Sequence, residues 1–185
     1  MINYGRLDRS ISYYELHKFK RIESPWTVSE KISNLTKPIE STNLEIKNKN
    51  KVLVASGEQS FLYLYIKGFI PLEDKFQTIT PCFRDDIFDQ LHTKYFIKNE
   101  LFITDNVCED TLYKTIHICK EFFESELSVS VTLTELGKNQ IDLEYNGMEL
   151  GSYGIRNVGF MKYIYATGLA EPRMTMIKKY INNGK

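Results

Sequence analysis

Gln140-Ile141-Asp142-Leu143-Glu144-Tyr145-Asn146-Gly147-Met148-Glu149-Leu150-Gly151-Ser152-Tyr153 carries the clearest local signal in the chain. Ile141, Leu143 and Tyr145 alternate with polar residues, the period of a strand with one buried face. Asn146-Gly147 follows, the pair best suited to a two-residue hairpin turn, and Met148 and Leu150 resume the alternation. Such a turn pairs 145 with 148, 144 with 149, 143 with 150 and 142 with 151. Asp142, Glu144 and Glu149 then share a face, Glu144 opposing Glu149 and Asp142 lying diagonal to it. Three carboxylates this close repel one another unless a cation sits among them. The face is therefore either a solvated exterior or a seat for a hard cation such as Mg²⁺, which takes one or two carboxylates plus substrate phosphates. The hairpin alone leaves both open, and solvated acidic faces are the commoner.

Outward from the hairpin, Gly168-Leu169-Ala170-Glu171-Pro172-Arg173 opens a helix with Met174, Ile177 and Ile181 on its apolar face and Pro172 in its first turn. Val129, Val131 and Leu133 alternate as a half-buried strand. Leu112, Ile116, Cys119 and Phe123 recur at helical spacing and predict a helix over 108–125. Phe76 to Arg84 and Tyr95 to Thr104 read as strands joined by the polar segment 85–94. Val52 to Ala55 is a short strand, and Ser56-Gly57 leads into a helix of about ten residues. Residues 12–20 predict a short helix capped by Ser12. Lys20 to Val28 is extended, with Pro25 at an edge or interface. Residues 33–51, polar and rich in Asn and Lys, form a surface loop. Strands arrive in runs, so the expected fold is α+β: a mostly antiparallel sheet flanked by helices.

The chain has 185 residues, suiting a single domain over 1–185 with room for a proper core. Its 24 basic and 24 acidic side chains cancel, which argues against a protein that coats nucleic acid, though not against a local basic patch. Hydrophobic residues at 42% and charged residues at 26% exclude a disordered chain. Cys82, Cys108 and Cys119 have no metal-ligand spacing and fit a reducing compartment. The first ten residues carry no apolar run, and no stretch approaches the roughly 20 apolar residues of a spanning helix. A cytoplasmic protein with no membrane partner is expected.

Two further groups carry chemistry. Phe83-Arg84-Asp85-Asp86 ends a strand and is followed by His92, Phe96 and Glu100. A strand-end Arg can clamp a phosphate bidentately, a His can bond another, and a Phe can stack on a base. At the last helix, Gly168 can bring backbone close to a nucleotide, and Arg173 can reach its phosphates or stack on its base. Each alone also reads as ordinary structure: a hairpin with surface charges, or a plain helix start.

Their order resembles the catalytic core of the class II aminoacyl-tRNA synthetases, over roughly residues 12–183. Phe19-Lys20-Arg21-Ile22-Glu23-Ser24-Pro25 resembles the first family motif, Phe83-Arg84-Asp85-Asp86 with His92 and Phe96 the second, and Gly168 to Arg173 the third. Ser56-Gly57-Glu58 is similar to the Thr-x-Glu loop that holds a substrate α-amino group. Asp142 to Gly151, continuing to Arg156, is similar to the Asp…Asn-Gly-x-Glu…Arg stretch of the aspartyl, asparaginyl and lysyl enzymes. That likeness turns the hairpin reading toward the cation.

The resemblance implies ATP and Mg²⁺ as ligands and a homodimer built through Pro25. Arg84 would hold the α-phosphate and act in catalysis with Arg173. His92 would approach the γ-phosphate, and Phe96 and Arg173 would sandwich the adenine, with Asp86 and Glu149 also at the nucleotide. Asp142 and Glu149 would hold Mg²⁺. Glu58, Glu100 and Ser152 would bind the amino acid, and Tyr153 and Tyr63 are expected to line its pocket. Ala170 stands where many relatives carry Gly, Pro172 where an acid is usual, and Asp86 is shorter than the common Glu. No anticodon-binding domain is expected.

Two function classes follow. One is a ligase that adenylates an amino acid or related carboxylate and passes it to an acceptor other than, or besides, tRNA: a carrier protein, another protein or a small amine. The other is a catalytically reduced paralogue acting as a binding or regulatory subunit. Fold alone does not choose between them.

Overall fold

A computed structural model describes residues 1–39, 41–71, 73–85 and 93–184. Among these residues the chain forms, in order, α1 (Tyr4–Leu16), β1 (Lys20–Arg21), β2 (Thr27–Val28), α2 (Glu30–Ser33), β3 (Glu45–Ile46), β4 (Lys51–Leu53), α3 (Gly57–Ile66), β5 (Lys75–Phe83), β6 (Tyr95–Ile103), α4 (Glu109–Leu127), β7 (Thr132–Gly137), β8 (Gln140–Tyr145), β9 (Met148–Val158), β10 (Met161–Glu171) and α5 (Arg173–Asn183). Seven strands make one sheet in the order β1-β5-β6-β10-β9-β8-β7. Only the β1–β5 pair is parallel. β2, β4 and β3 form a small antiparallel sheet. The expected α+β architecture is present.

Alternation gives the large sheet two buried faces. Leu101, Ile103, Ile141, Leu143, Ile164 and Ala166 point to one side and pack with Tyr14 of α1, Ile116 and Phe123 of α4 and Ile177 of α5. Phe76, Phe102, Tyr163 and Tyr165 point to the other and pack with Phe61 and Leu62 of α3 and with Val28 and Val52 of the small sheet. Burying each such side chain stabilises the fold by roughly 1.5–3 kcal/mol, so both layers hold the sheet rigid.

The structure departs from the sequence expectations at several places. The helix expected over 12–20 runs Tyr4–Leu16, and its cap is Asn3, not Ser12, with the Asn3 side chain accepting from the Arg6 backbone N–H at 2.9 Å. Its buried face mixes Leu7 and Tyr14 with Arg6 and Ser10, so the stripe has no apolar period to read. Pro172 is the cap of α5 and lies outside the helix. Residues 33–51 are not all loop, since β3 pairs there with β4. The strand read over 129–133 is β7, which begins at Thr132.

The hairpin register also differs. Tyr145 opposes Met148 and Glu144 opposes Glu149 as expected, but Leu143 then pairs with Gly151 and Asp142 with Ser152. Leu150 is the extra residue of a β-bulge. The bulge lets Leu150 join the core while Glu149 keeps its place opposite Glu144. Asn146 and Gly147 have φ of 49° and 73°, as a tight turn of this type demands.

Candidate active site

The α3 face of the sheet changes character along its strands. Beyond the aromatic patch lies a row of polar residues joined by register: Thr78 opposite Glu100, Glu100 opposite Thr167, and, across β9, Ser152 opposite Asp142. Thr167 and Ser152 are linked by a hydrogen bond of 3.2 Å from the Ser152 N–H to Thr167 Oγ1. Thr78, Glu100, Asp142 and Thr167 are all buried. Buried polar groups at this density need partners, and most have them. Glu100 accepts from Lys98 Nζ at 2.9 Å and from the Gly57 N–H at 3.2 Å.

α3 begins directly on this row. A Cβ at Gly57 would lie 2.8 Å from Glu100 Cβ and 2.9 Å from Thr80 Cγ2, so glycine is what allows the approach. The Ser56 side chain caps the helix by accepting from the Glu58 N–H at 3.1 Å. The positive end of the helix dipole is thereby aimed at the polar floor.

At the hairpin, Arg173 from the first turn of α5 donates to Glu149 Oε1 at 2.6 Å. Burial works to raise the Glu149 carboxyl, but Arg173, with Lys98 and Arg84 behind it, more than offsets this and holds it below the usual range. Asp142 goes the other way. Burial pushes it up against a Ser152 hydrogen bond, and Glu149 and Glu144 add to the rise. Asp142 Oδ1 is buried and has no hydrogen-bond partner. An orphaned buried carboxylate oxygen beside a second carboxylate fits a hard cation that completes its shell with phosphate oxygens and water. Among the described residues no group of three or more His, Cys, Asp or Glu side chains forms a full protein cage. Glu144, third of the expected trio, accepts from Thr134 Oγ1 at 2.9 Å.

Arg84 follows β5. Its N–H donates to Lys94 O at 2.8 Å, its Nε donates to Ala55 O at 3.0 Å, and its guanidinium lies 5.1 Å from the Phe96 ring centre. A small cavity of about 150 Å³ opens beside it, lined by Arg84, Ser56, Glu58, Arg156 and, among others, Thr36, Lys37 and Thr42. Both oxygens of its Glu58 are engaged: Tyr163 Oη donates to Oε1 at 2.7 Å, and Arg156 Nη1 lies 3.3 Å from Oε2. Burial raises the Glu58 carboxyl, against the pull of Arg156 and of the Tyr163 hydrogen bond.

The structure thus brings together Arg84, Phe96, Glu58, Glu100, Ser152, Asp142, Glu149 and Arg173 on one side of the sheet. Asp86 and His92 lie outside the described residues. Tyr153 is not on this side: it is fully buried among the α4-side core, its hydroxyl donating to Thr167 O. Tyr63 lies further along α3, on a separate groove. Gly168 is a bulge residue whose open side meets Tyr14 of α1, with a Cβ there lying 2.7 Å from Tyr14 Cε2. Its close approach serves that contact. The pairing of Arg156 with Glu58, and the places of Lys98 and Tyr163, are not read from the sequence. Ser152, Gly154 and Arg156 alternate with Tyr153 and Ile155, which signals the face that Arg156 joins, whereas nothing local signals Lys98 or Tyr163.

This arrangement of a mostly antiparallel sheet flanked by helices is the fold of class II aminoacyl-tRNA synthetase catalytic domains. A pyrrolysyl-tRNA synthetase from Desulfitobacterium hafniense superposes with a TM-score of 0.76 at 12% identity, over 96% of this chain and 67% of that one. A cytoplasmic serine-tRNA ligase from Naegleria fowleri, solved with AMP, gives a TM-score of 0.70 at 16% identity, over 92% of this chain and 46% of that one. Seryl-tRNA synthetase from Pyrococcus horikoshii, complexed with ATP, gives 0.70 at 14% identity, over 94% and 49%. The chain spans from about half to about two thirds of the length of these neighbours. No protein-family model and no curated protein matches it by sequence.

Proposed function

We propose that the chain is an ATP-dependent ligase that adenylates an amino acid or a related carboxylate and passes it to an acceptor other than, or in addition to, tRNA. The observation that carries this reading is the orphaned Asp142 Oδ1 beside the Glu149–Arg173 pair, on the face that also holds Arg84. ATP would be held by Arg84, Phe96, Glu149 and Arg173, with Asp86 and His92 joining from 86–92. Asp142 and Glu149 would hold Mg²⁺, which when bound neutralises phosphate charge. Glu58 would take the substrate ammonium, with Glu100 and Ser152 beside it.

Activation requires two anions to meet. Arg84 would stabilise the charge that builds on the α-phosphate as a substrate carboxylate oxygen attacks the α-phosphorus. One P–O bond forms, the bond to pyrophosphate breaks, and no proton is transferred. The product is a mixed anhydride for a tRNA acceptor stem, a carrier protein or a small amine to attack. Pro25 and the exposed Trp26 would build a homodimer, on a face with an open hollow of about 690 Å³. The chain would work in the cytoplasm, and no helix among the described residues is long and apolar enough to cross a membrane.

One observation favours a second reading, that of a catalytically reduced binding or regulatory subunit: both Glu58 oxygens are engaged, by Arg156 and Tyr163. Titration calorimetry with ATP and Mg²⁺ separates the two. Saturable heat that requires Mg²⁺ supports the ligase. Absence of heat contradicts the nucleotide site and leaves the binding subunit.

A further inference from the structure

α3 touches the candidate site only with its first turn. Its last turn, about 15 Å away at helical rise, borders a groove that the proposed chemistry does not use. The groove has a volume of about 830 Å³ and lies between α2, the β3–β4 turn, the end of α3 and the β9–β10 turn. Val28, Ile32, Leu35, Ile66 and Met161 give it an apolar lining. Phe160 stands at the β9–β10 turn, 90% exposed, and Leu35 and Ile66 are also exposed. Val28, Ile32 and Met161 are a buried floor, and the apolar surface that Leu35, Ile66 and Phe160 leave open above it is unfavourable in water unless something covers it.

Charge says what kind of cover fits. Lys31, Lys49, Lys51 and Lys67 line the groove, all exposed, and no acidic residue lines it. Among the described residues none of these lysines makes an ion pair. Glu30 adjoins Lys31 in sequence and Glu45 pairs with Val52 in the small sheet, and neither reaches the lining. A chain of zero net charge has gathered four unpaired lysines around one apolar groove. That combination attracts a partner that is acidic at its rim and aliphatic at its centre.

We propose that this groove docks an acidic protein segment presenting aliphatic side chains, most simply one face of an amphipathic helix. The apolar part of the lining is mostly aliphatic, with Tyr63 and Phe160 the aromatic members, so it lacks the run of ring faces on which successive bases stack. Two copies of this chain pairing groove to groove would bring the same lysines together.

The full-length chain is titrated with a fluorescent helical peptide that carries Leu at i, i+3, i+4 and i+7 and Glu elsewhere, read by anisotropy. The same peptide with Lys for Glu, a short oligouridylate and phosphatidylglycerol vesicles serve as the other arms. The Glu peptide binds and weakens with added salt. Lys31→Glu combined with Lys67→Glu, and separately Phe160→Ser, each weaken it by about tenfold or more. These side chains are exposed, so circular dichroism is unchanged. Equal binding of the Lys peptide, indifference to both variants, or tighter binding of RNA or vesicles through these residues overturns the proposal. So does a dimer in sedimentation that Phe160→Ser dissolves.

Discussion

At the scale of single residues, Asp142 and Gly57 separate function from structure most cleanly. A buried carboxylate oxygen without a donor costs roughly 1–3 kcal/mol, and burial with two acidic neighbours already raises this carboxyl. Asp142→Asn is therefore expected to leave folding stability unchanged or higher, while weakening ATP·Mg²⁺ binding by about 10–100-fold, the worth of a lost contact to a charge. Calorimetry and urea unfolding of one preparation check both, and a large stability loss would make Asp142 structural. Gly57→Ala has the opposite signature. Its methyl meets Glu100 and Thr80, and overpacking there costs roughly 1–3 kcal/mol in the same unfolding measurement. Arg84, Glu58 and Glu149 were legible because each stands in a short local pattern. The engagement of Glu58 by Arg156 and Tyr163 was not, since it depends on β9 and β10 delivering two side chains across the sheet to α3.

Among elements, α1, α4 and α5 are tied together by charge as well as by packing. Arg6 of α1 bonds Glu171, at the end of β10, and Thr175 of α5, and both Arg6 and Arg9 bond Glu126 of α4. The Arg9 hydrogen bond lowers the Glu126 carboxyl, burial opposes it, and Arg6 adds to the fall. The folded pKa thus lies below the unfolded value of about 4.3, so the stabilisation is present above that pH and is lost as pH falls through the folded value. Glu126→Gln should flatten the acid limb of a urea-unfolding series taken across pH, and an unchanged limb would contradict the network. This tie joins residues 165 apart, and nothing local announces it. β10 was hidden for a related reason: it lies between β6 and β9 and is buried on both faces, so it shows no alternation. The Asn146-Gly147 turn was legible because two residues determine it. The bulge at Leu150 was not, because core packing decides it.

For the whole molecule, the net charge of zero conceals a division of labour. Acidic and basic side chains meet at the candidate site, whereas lysines without an ion pair among the described residues gather at the far end of α3. The face around Pro25 is a third surface, and the proposed homodimer is tested there. Sedimentation equilibrium should find a dimer, and Trp26→Glu should weaken it by about 30-fold or more, as loss of a large interface aromatic does. A monomer in both would contradict it. The central claim is that Arg84 supports activation of a carboxylate by ATP. Exchange of labelled pyrophosphate into ATP, screened across the amino acids with Mg²⁺, tests that most directly. Exchange is expected to depend on an added amino acid and to fall about 100-fold or more in Arg84→Ala, the loss typical of one transition-state donor. Exchange with no amino acid, or exchange undiminished in Arg84→Ala, would contradict it.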